Sequence, residues 1–325
     1  MKLPRRQFLH LSAVGAALPA VSRLAWAQTY PSQPLRWVVG FPPGGGADIV
    51  SRIMAQWLSE RLGQTVVIEN KPGASTNISI QTVVNSAADG YTLLFVAASA
   101  AVNMTLFKNL QFNLLRDIAP VSGLIDFPLV MIANPMFPPN TVAELIAHAK
   151  ANPGKINFGS FGTGSTSHVA GELFKSMTGV NMVHVPYRGG ASMLADLIGG
   201  QVQIAFDVLA GPLSHIRSGA VRALGVAGKT RSEFLPDVPT IGETVRGYEA
   251  NSWCGIGVVT GTPPAIIERL NRDINAGLRD PTVKARLAQV ATTPLIFTPT
   301  EFGTYIAAEV EKWGNVVKSA GLKPE

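Results

Sequence analysis

Two stretches of this chain bring glycines and hydroxyls together at spacings that suit a bound anion. The first is Phe41-Pro42-Pro43-Gly44-Gly45-Gly46-Ala47-Asp48. Gly44, Gly45 and Gly46 lack Cβ atoms, so their backbone N–H groups can come close to a ligand. The second runs from Phe158 to His168 and includes Phe161. There Gly162 and Gly164 expose N–H groups, while Ser160, Thr163, Ser165 and Thr166 add hydroxyls that donate or accept. Each stretch leads into apolar residues at helical spacing: Ile49, Ile53, Trp57 and Leu58 after the first, Val169, Leu173, Phe174 and Met177 after the second. A helix start presents unpaired N–H groups and the positive end of its dipole. A carboxylate or phosphate fits there without a cationic side chain. One such turn is equally an ordinary strand-to-helix connection; the repetition is what points to a ligand.

Other chemistries find less support. The spacing from Gly159 to Gly164 approaches a phosphate-binding loop, but Ser165 stands where the lysine must be, which argues against a nucleoside triphosphate. The third glycine of a dinucleotide fingerprint is replaced by Ser167, and Gly73-Ala74-Ser75-Thr76-Asn77 lacks the final glycine of a nucleophile elbow. His10, His148, His168, His184 and His215 show no pairing at i, i+4, so no metal site and no cofactor are expected. His168 reads as a capping or surface residue before it reads as a base. Asp48 either faces the ligand or caps its helix. Asp207 ends an apolar strand, at the edge where open α/β sheets bind ligands. Arg188, at the same edge, either clamps a distal carboxylate or bridges two lobes.

The elements that must position these residues alternate. Leu35–Val39 is an apolar strand, followed by the first glycine loop and a helix. Strand Thr65–Glu69, helix Ile78–Val84 and strand Tyr91–Val96 continue the pattern of a sheet covered on both faces. Ile118–Leu124 and Pro128–Ala133 are further strands. A capping box at Thr141 and Glu144 then opens a second α/β set. Its strands are Lys155–Gly159, Met182–Val185, Val202–Val208 and Arg222–Ala227; its helices include Ser167–Met177, Ser192–Ile198 and Leu213–Arg217. Residues 229–250 form a polar excursion. Strand Gly255–Val259, helices from Pro264 and Pro281, strand Leu295–Thr298 and a long helix from Thr300 return to the first set. The chain therefore crosses between two lobes twice, near 125–135 and near 250–256, which makes a hinge and a cleft.

With 325 residues, 46% of them hydrophobic, the chain can bury two such cores. Residues 1–27 stand apart: Arg5-Arg6-Gln7-Phe8-Leu9 is a twin-arginine pair, Leu11–Val21 a modestly apolar segment, and Ala25-Trp26-Ala27 a small-x-small cleavage pattern. Four of the 27 basic residues and no acidic residue lie in that leader. The remainder carries 23 basic against 21 acidic residues, so the formal +6 is no argument for nucleic-acid binding. Cys254, the single cysteine, permits no intrachain disulfide. A mature protein free in the periplasm, exported by the twin-arginine route, is the expectation.

The motifs in order resemble one family. They are Phe41–Asp48, Glu69-Asn70-Lys71-Pro72-Gly73-Ala74, Ala88-Asp89-Gly90-Tyr91-Thr92-Leu93-Leu94, Gly164–Phe174, His184-Val185-Pro186-Tyr187-Arg188-Gly189, Asp196–Val202 and Pro236-Asp237-Val238-Pro239-Thr240. Together they are similar to the solute-binding proteins of tripartite tricarboxylate transporters, the Bordetella uptake gene (Bug, or TctC) family. The resemblance implies an α/β, two-lobed periplasmic-binding-protein fold of type II, a Venus flytrap with a mainly parallel sheet and flanking helices in each lobe. Lobe 1 would comprise 28–130 and 254–325, and lobe 2 131–253. A carboxylate would be gripped by backbone groups and waters from the two glycine loops. On these grounds the ligand-lining set is expected to be Phe41, Gly44, Gly45, Gly46, Ala47, Asp48, Ser75, Phe161, Gly162, Thr163, Gly164, Ser165, Thr166, Arg188 and Asp207. The implied protein is a monomeric, non-enzymatic receptor that hands a small organic acid to membrane transporter subunits. Presentation of the ligand to a sensor kinase and hydrolysis on a secreted α/β scaffold are the alternatives. One departure stands out: Ser75-Thr76 occupy positions where the family usually carries Gly-Gly, which bears on the cleft rim.

Overall fold

A computed structural model of the chain describes residues 30–319 and 321–322, so the leader expected over 1–27 lies outside the described residues. The folded unit from Gln33 onward begins with β1 (Leu35–Val39), β2 (Val66–Asn70) and β3 (Thr92–Ala97). Helices α1 (Gly46–Leu62) and α2 (Asn77–Val84) connect them. α1 buries Val50, Ile53, Met54, Leu58 and Leu62 along one side and stops at Gly63, whose left-handed conformation lets its N–H reach Ser59 O. α3 (Ala98–Leu106) and α4 (Leu114–Asp117) follow, then β4 (Ile118–Phe127) and β5 (Leu129–Ala133).

The second set runs α5 (Val142–Ala151), β6 (Asn157–Ser160), α6 (Thr166–Thr178), β7 (Val183–Pro186) and α7 (Gly190–Ile198). β8 (Ile204–Val208), α8 (Leu213–Arg217), β9 (Arg222–Val226) and α9 (Ile241–Thr244) complete it. The chain then returns through β10 (Ser252–Val259), α10 (Pro264–Arg279), α11 (Pro281–Gln289), β11 (Thr293–Pro294) and α12 (Pro299–Ser319).

Two sheets result, ordered β11-β4-β10-β3-β1-β2 and β7-β6-β8-β5-β9. Both are mixed, where mainly parallel sheets were expected. β1 pairs parallel with β2 and β3, and β6 with β7 and β8. β10 pairs antiparallel with β3 and β4, and β5 with β8 and β9. Apart from the two-residue β11, which pairs antiparallel with β4, the strands that run against their neighbours, β5 and β10, are those next to the crossings between sheets. The outward crossing is one residue, Pro128, between β4 and β5. The return lies between β9 and β10, where Ala250 N–H donates to Ala227 O.

α3 was not foreseen. Ala98, Ser99, Ala100, Ala101, Val102, Asn103 and Leu106 are all buried, so the helix lacks the polar face that makes helical periodicity visible. The strand expected over 295–298 is confined to Thr293–Pro294. Phe297 O instead accepts from Asn271 Nδ2 at 2.8 Å and Asn275 Nδ2 at 3.0 Å, side chains of α10 that take the place of a backbone ladder there.

α12 packs across α3, β4 and α6. Its buried Glu309 accepts from the indole N–H groups of both Trp253 and Trp313, each at 2.8 Å, with Lys312 Nζ at 3.3 Å. This pins α12 to β10 just past the return crossing. Glu309→Leu would leave two buried donors without acceptors. Urea denaturation is expected to show a loss of about 1–3 kcal/mol for each donor, with a smaller loss for Glu309→Gln, which keeps one acceptor. An unchanged midpoint in Glu309→Leu would contradict this role.

Candidate functional site

The first glycine loop is built by Asp48. This carboxylate is buried and accepts from Gly44 N–H at 3.0 Å, Arg52 Nε at 2.8 Å, Arg52 Nη2 at 3.0 Å and Asn70 Nδ2 at 3.0 Å. Asn70 Nδ2 also reaches Phe41 O at 3.1 Å. Burial alone would raise the Asp48 pKa, but the hydrogen bonds from Arg52, Gly44 and Asn70 outweigh it and hold the group below the usual range. Asp48 therefore neither caps α1, whose N-cap is Gly45, nor offers a lone pair to a ligand. It folds the loop back and fixes its one nearby cation, Arg52. The N–H groups of Gly45, Gly46, Ala47 and Asp48 remain without an acceptor among the described residues. Gly44 and Gly45 are exposed.

The neighbouring rim, Ala74–Thr76, is a single 3₁₀ turn in which Ala74, Ser75 and Thr76 take φ values of 45°, 52° and 77°. Three successive left-handed non-glycine residues store strain, about 1–2 kcal/mol each. Asn103 Nδ2 holds the turn by donating to Ser75 O at 2.6 Å and to Asn77 Oδ1 at 2.8 Å. Ser79 Oγ donates to Thr76 O at 2.7 Å, and Thr76 Oγ1 lies 3.3 Å from Ser99 Oγ. Asn103 is fully buried, and its Oδ1 has no partner. Asn103 belongs to the unforeseen α3, so its type and position carried no signal beforehand.

The second loop spends most of its own donors. Phe161 N–H goes to Ser167 Oγ (2.9 Å), Gly162 N–H to Ser160 Oγ (3.1 Å) and Gly164 N–H to His168 Nδ1 (3.3 Å). Ser165 is the N-cap of α6; its Oγ accepts from His168 N–H at 3.2 Å and donates to Gly162 O at 2.6 Å. Thr163, Thr166 and Ser167 keep N–H groups without an acceptor among the described residues. Thr166 Oγ1 donates to Ser252 Oγ at 3.2 Å, on the first residue of β10. Gly164 has φ +78°, and a Cβ there would lie 3.0 Å from Leu106 Cδ2 and 3.2 Å from both Asn103 Oδ1 and Ser75 Oγ. The second loop thus abuts the strained rim directly, with no space for a side chain between them.

Beneath the loop, His168 and His184 stack at 4.0 Å. His184 Nε2 lies 2.6 Å from Ser160 Oγ. His168, read from sequence as a capping or surface group, is buried and acts as an acceptor. Burial, then the neighbouring His184 and Lys175, push its pKa down to about 3; burial and Lys175 push that of His184 down to about 4. A neutral His168 has its proton on Nε2, which leaves Nδ1 free to accept from Gly164. The Ser160–His184 contact joins residues far apart in sequence and resembles a nucleophile with its base. Ser160, however, is fully buried, and its Oγ already accepts from Gly162, so no substrate carbonyl can reach it.

The remaining expected residues stand at the C-terminal edge of the second sheet. Asp207 is the penultimate residue of β8, and its Oδ2 is buried without a partner. Arg188 is exposed and makes no ion pair among the described residues. Tyr187 OH donates to Asp196 at 2.8 Å. Phe161 is half-buried beside Gly190. No group of three or more His, Cys, Asp or Glu that could hold a metal occurs among the described residues.

Comparison with known proteins gives a consistent picture. The family described as tripartite tricarboxylate transporter family receptor matches residues 50–322. Protein BugT of Bordetella pertussis is 38% identical over 320 residues, covering 97% of this chain and 96% of the relative. The solved structure of R. palustris Rpa4515 with adipate superposes with a TM-score of 0.86 at 34% identity, covering 91% of this chain and 100% of the other. The periplasmic binding protein BugD superposes with a TM-score of 0.83 at 33% identity, again covering 91% and 100%. The two-sheet architecture is accordingly the two-lobed fold of periplasmic binding proteins.

Two outcomes test this geometry. His168 and His184 should stay neutral between pH about 5 and 6.5 in a ring-proton NMR titration; a midpoint near 6.5 for either would contradict their burial. With folded values depressed below 6.5, their contribution to stability is present above pH 6.5 and lost as pH falls through about 4 and 3. Ser75→Gly should raise the melting temperature, because relief of about 1–2 kcal/mol of left-handed strain exceeds the added unfolded-state entropy of about 0.4–1 kcal/mol. A lowered melting temperature would show that Ser75 is not strained.

Proposed function

Because the chain belongs to the tripartite tricarboxylate transporter receptor family, we propose that it captures a small carboxylate in the periplasm and delivers it to the membrane subunits of such a transporter. The observation that carries this reading is the pair of unspent N–H sets. Gly45–Asp48 lie at the start of α1, and Thr163, Thr166 and Ser167 at the start of α6, one set in each sheet's lobe. Neither loop contains Lys or Arg, and Arg52, one turn into α1, is consumed by Asp48. One carboxylate is then met by backbone donors, the Thr163 and Thr166 hydroxyls, two helix dipoles and water.

Residues 28–130 and 254–325 serve as lobe 1 and 131–253 as lobe 2, a division that follows the sheet membership of β1–β4, β10 and β11 against β5–β9 except that it cuts β5 after Val130 and β10 before Cys254, so the sheets put the crossings at Pro128 and just before Ser252. The carboxylate closes one lobe on the other. Within the expected lining, Gly45, Gly46, Ala47, Thr163 and Thr166 contact the ligand. Asp48, Gly44, Gly162, Gly164 and Ser165 shape the loops, and Phe41 and Ser75 form the rim. Arg188 tunes the field from the edge. The receptor is a monomer, releases its ligand unchanged and takes no metal, cofactor or nucleic acid. Export follows the twin-arginine route, on the strength of Arg5-Arg6 and Ala25-Trp26-Ala27.

Adipate is the first probe, since the R. palustris relative was solved with it. A Cβ on Gly45 would meet only Pro42 O at 3.7 Å, so Gly45→Val should fold normally while its side chain screens the N–H groups. Titration calorimetry is expected to show binding abolished in Gly45→Val and reduced by about 0.5–1.5 kcal/mol in Thr166→Ala. It should be retained in Arg188→Ala. The reverse pattern, with Arg188→Ala silent and Gly45→Val normal, would make the site a side-chain salt bridge. Separately, Arg5 and Arg6 both changed to Lys should leave precursor in the cytoplasm; normal periplasmic accumulation would refute the export route.

A further inference from the structure

A second polar spot lies in the same lobe, at the C-terminal edge of the β7-β6-β8-β5-β9 sheet, and centres on Asp207. Only 2% of this residue is exposed, and its Oδ2 has no hydrogen-bond partner. A buried polar atom without a partner is costly, and proteins keep few of them. The carboxyl group is roofed by parts of the lobe that are themselves open. A Cβ on exposed Gly211 would lie 3.4 Å from Oδ2, and a Cβ on half-buried Gly190 3.8 Å from Oδ1 and 3.1 Å from the Phe161 ring. The carboxyl is therefore covered by two glycines with no side chain between them and it, beside the Phe161 ring of the second ligand loop. Gly190 also opens α7, a nine-residue helix with no side-chain cap, and the N–H groups of Gly190, Ala191 and Ser192 have no acceptor among the described residues.

We propose that Asp207 is a specificity-determining residue that donates a hydrogen bond from its carboxylic acid to a second carboxylate of the ligand, so that the receptor selects dicarboxylates over monocarboxylates and amino acids. This rests on the carboxylate-receptor reading and adds a distal subsite to it. Burial pushes the Asp207 pKa up to about 8, with a hydrogen bond from Val208 N–H only partly opposing. No charge contributes. The titratable groups on the elements packed around it are His168, Glu172 and Lys175 on α6, His184, Tyr187 and Arg188 at β7, Asp196 on α7, and His215 and Arg217 on α8; Tyr187 and Asp196 satisfy one another. A neutral acid at neutral pH supplies the O–H donor that a carboxylate needs, and the start of α7 supplies N–H groups beside it. An ammonium group would meet the same helix start and find it repulsive.

The test is calorimetric, with two matched series: adipate, hexanoate and 6-aminohexanoate, then succinate, butyrate and 4-aminobutyrate. The wild type should prefer the dicarboxylate in at least one series. Its affinity should fall toward tenfold per pH unit above about 8, as Asp207 loses its proton. Asp207→Asn keeps a donor of the same shape, so it should still bind the dicarboxylate but lose that pH dependence. Asp207→Leu should bind dicarboxylate and monocarboxylate alike. Thermal melts confirm folding, and Asp207→Asn remains decisive if Asp207→Leu does not fold. Equal wild-type binding of mono- and dicarboxylates, or an unchanged pH slope in Asp207→Asn, would overturn the proposal and leave the receptor reading standing. Preferred binding of an amino acid, strengthening as pH rises, would show Asp207 ionised against an ammonium and overturn it too. Binding of none of the six would defeat both.

Discussion

An anion held without a cation needs several N–H donors that the fold keeps unpaired and aimed at one place. Several loop donors here are not available for that. Asp48 takes Gly44 N–H, and Ser167, Ser160 and His168 take those of Phe161, Gly162 and Gly164. These internal bonds cost the loops some of their apparent capacity and give them a fixed shape in return. What is left, Gly45–Asp48 on one side and Thr163, Thr166 and Ser167 on the other, is a smaller set of donors at two helix starts. Preorganised donors lose little freedom on binding, so fewer of them suffice.

The rest of the molecule ties the second loop to the first sheet and to the rim Ala74–Thr76. The chain leaves the first sheet through Pro128 and returns before Ser252, where Thr166 Oγ1 meets Ser252 Oγ. α12 is fastened to β10 by Glu309 and the two tryptophans, and it also packs on α6. The second loop meets the left-handed turn Ala74–Thr76 at Gly164. Asn103, donating to that turn with Nδ2 while its Oδ1 stays unpartnered, stands where the second loop meets the turn. The strain of the turn is thus stored at the point of contact between lobes.

Some of this was legible in the sequence. β1 and α8 fall on the residues expected, because a mostly apolar run ending at Gly40 and a short stretch between turn residues are strong local signals. Both glycine loops open helices, as the switch to helical spacing at Ile49 and Val169 required. α3 was invisible because a largely buried, Ala-rich helix following an apolar strand has no polar face. The antiparallel strands were illegible for a different reason: strand direction depends on where the chain crosses, not on local pattern. Asp48 shows the limit for side chains. Its position before a helix suggested a cap or a ligand, and only its contact with Asn70, 22 residues later, makes it the organiser of the loop. His168 and His184 share no helical spacing, and their stacking is set by the pairing of β6 with β7.

The most direct measurement is a crystal structure of the protein with adipate bound. One carboxylate is expected with its oxygens about 2.7–3.2 Å from N–H groups of both the Gly45–Asp48 turn and the Thr163–Ser167 turn, with no lysine or arginine in contact. A carboxylate seated on Arg188 or any other cationic side chain, with those N–H groups facing only solvent, would contradict the backbone-held site.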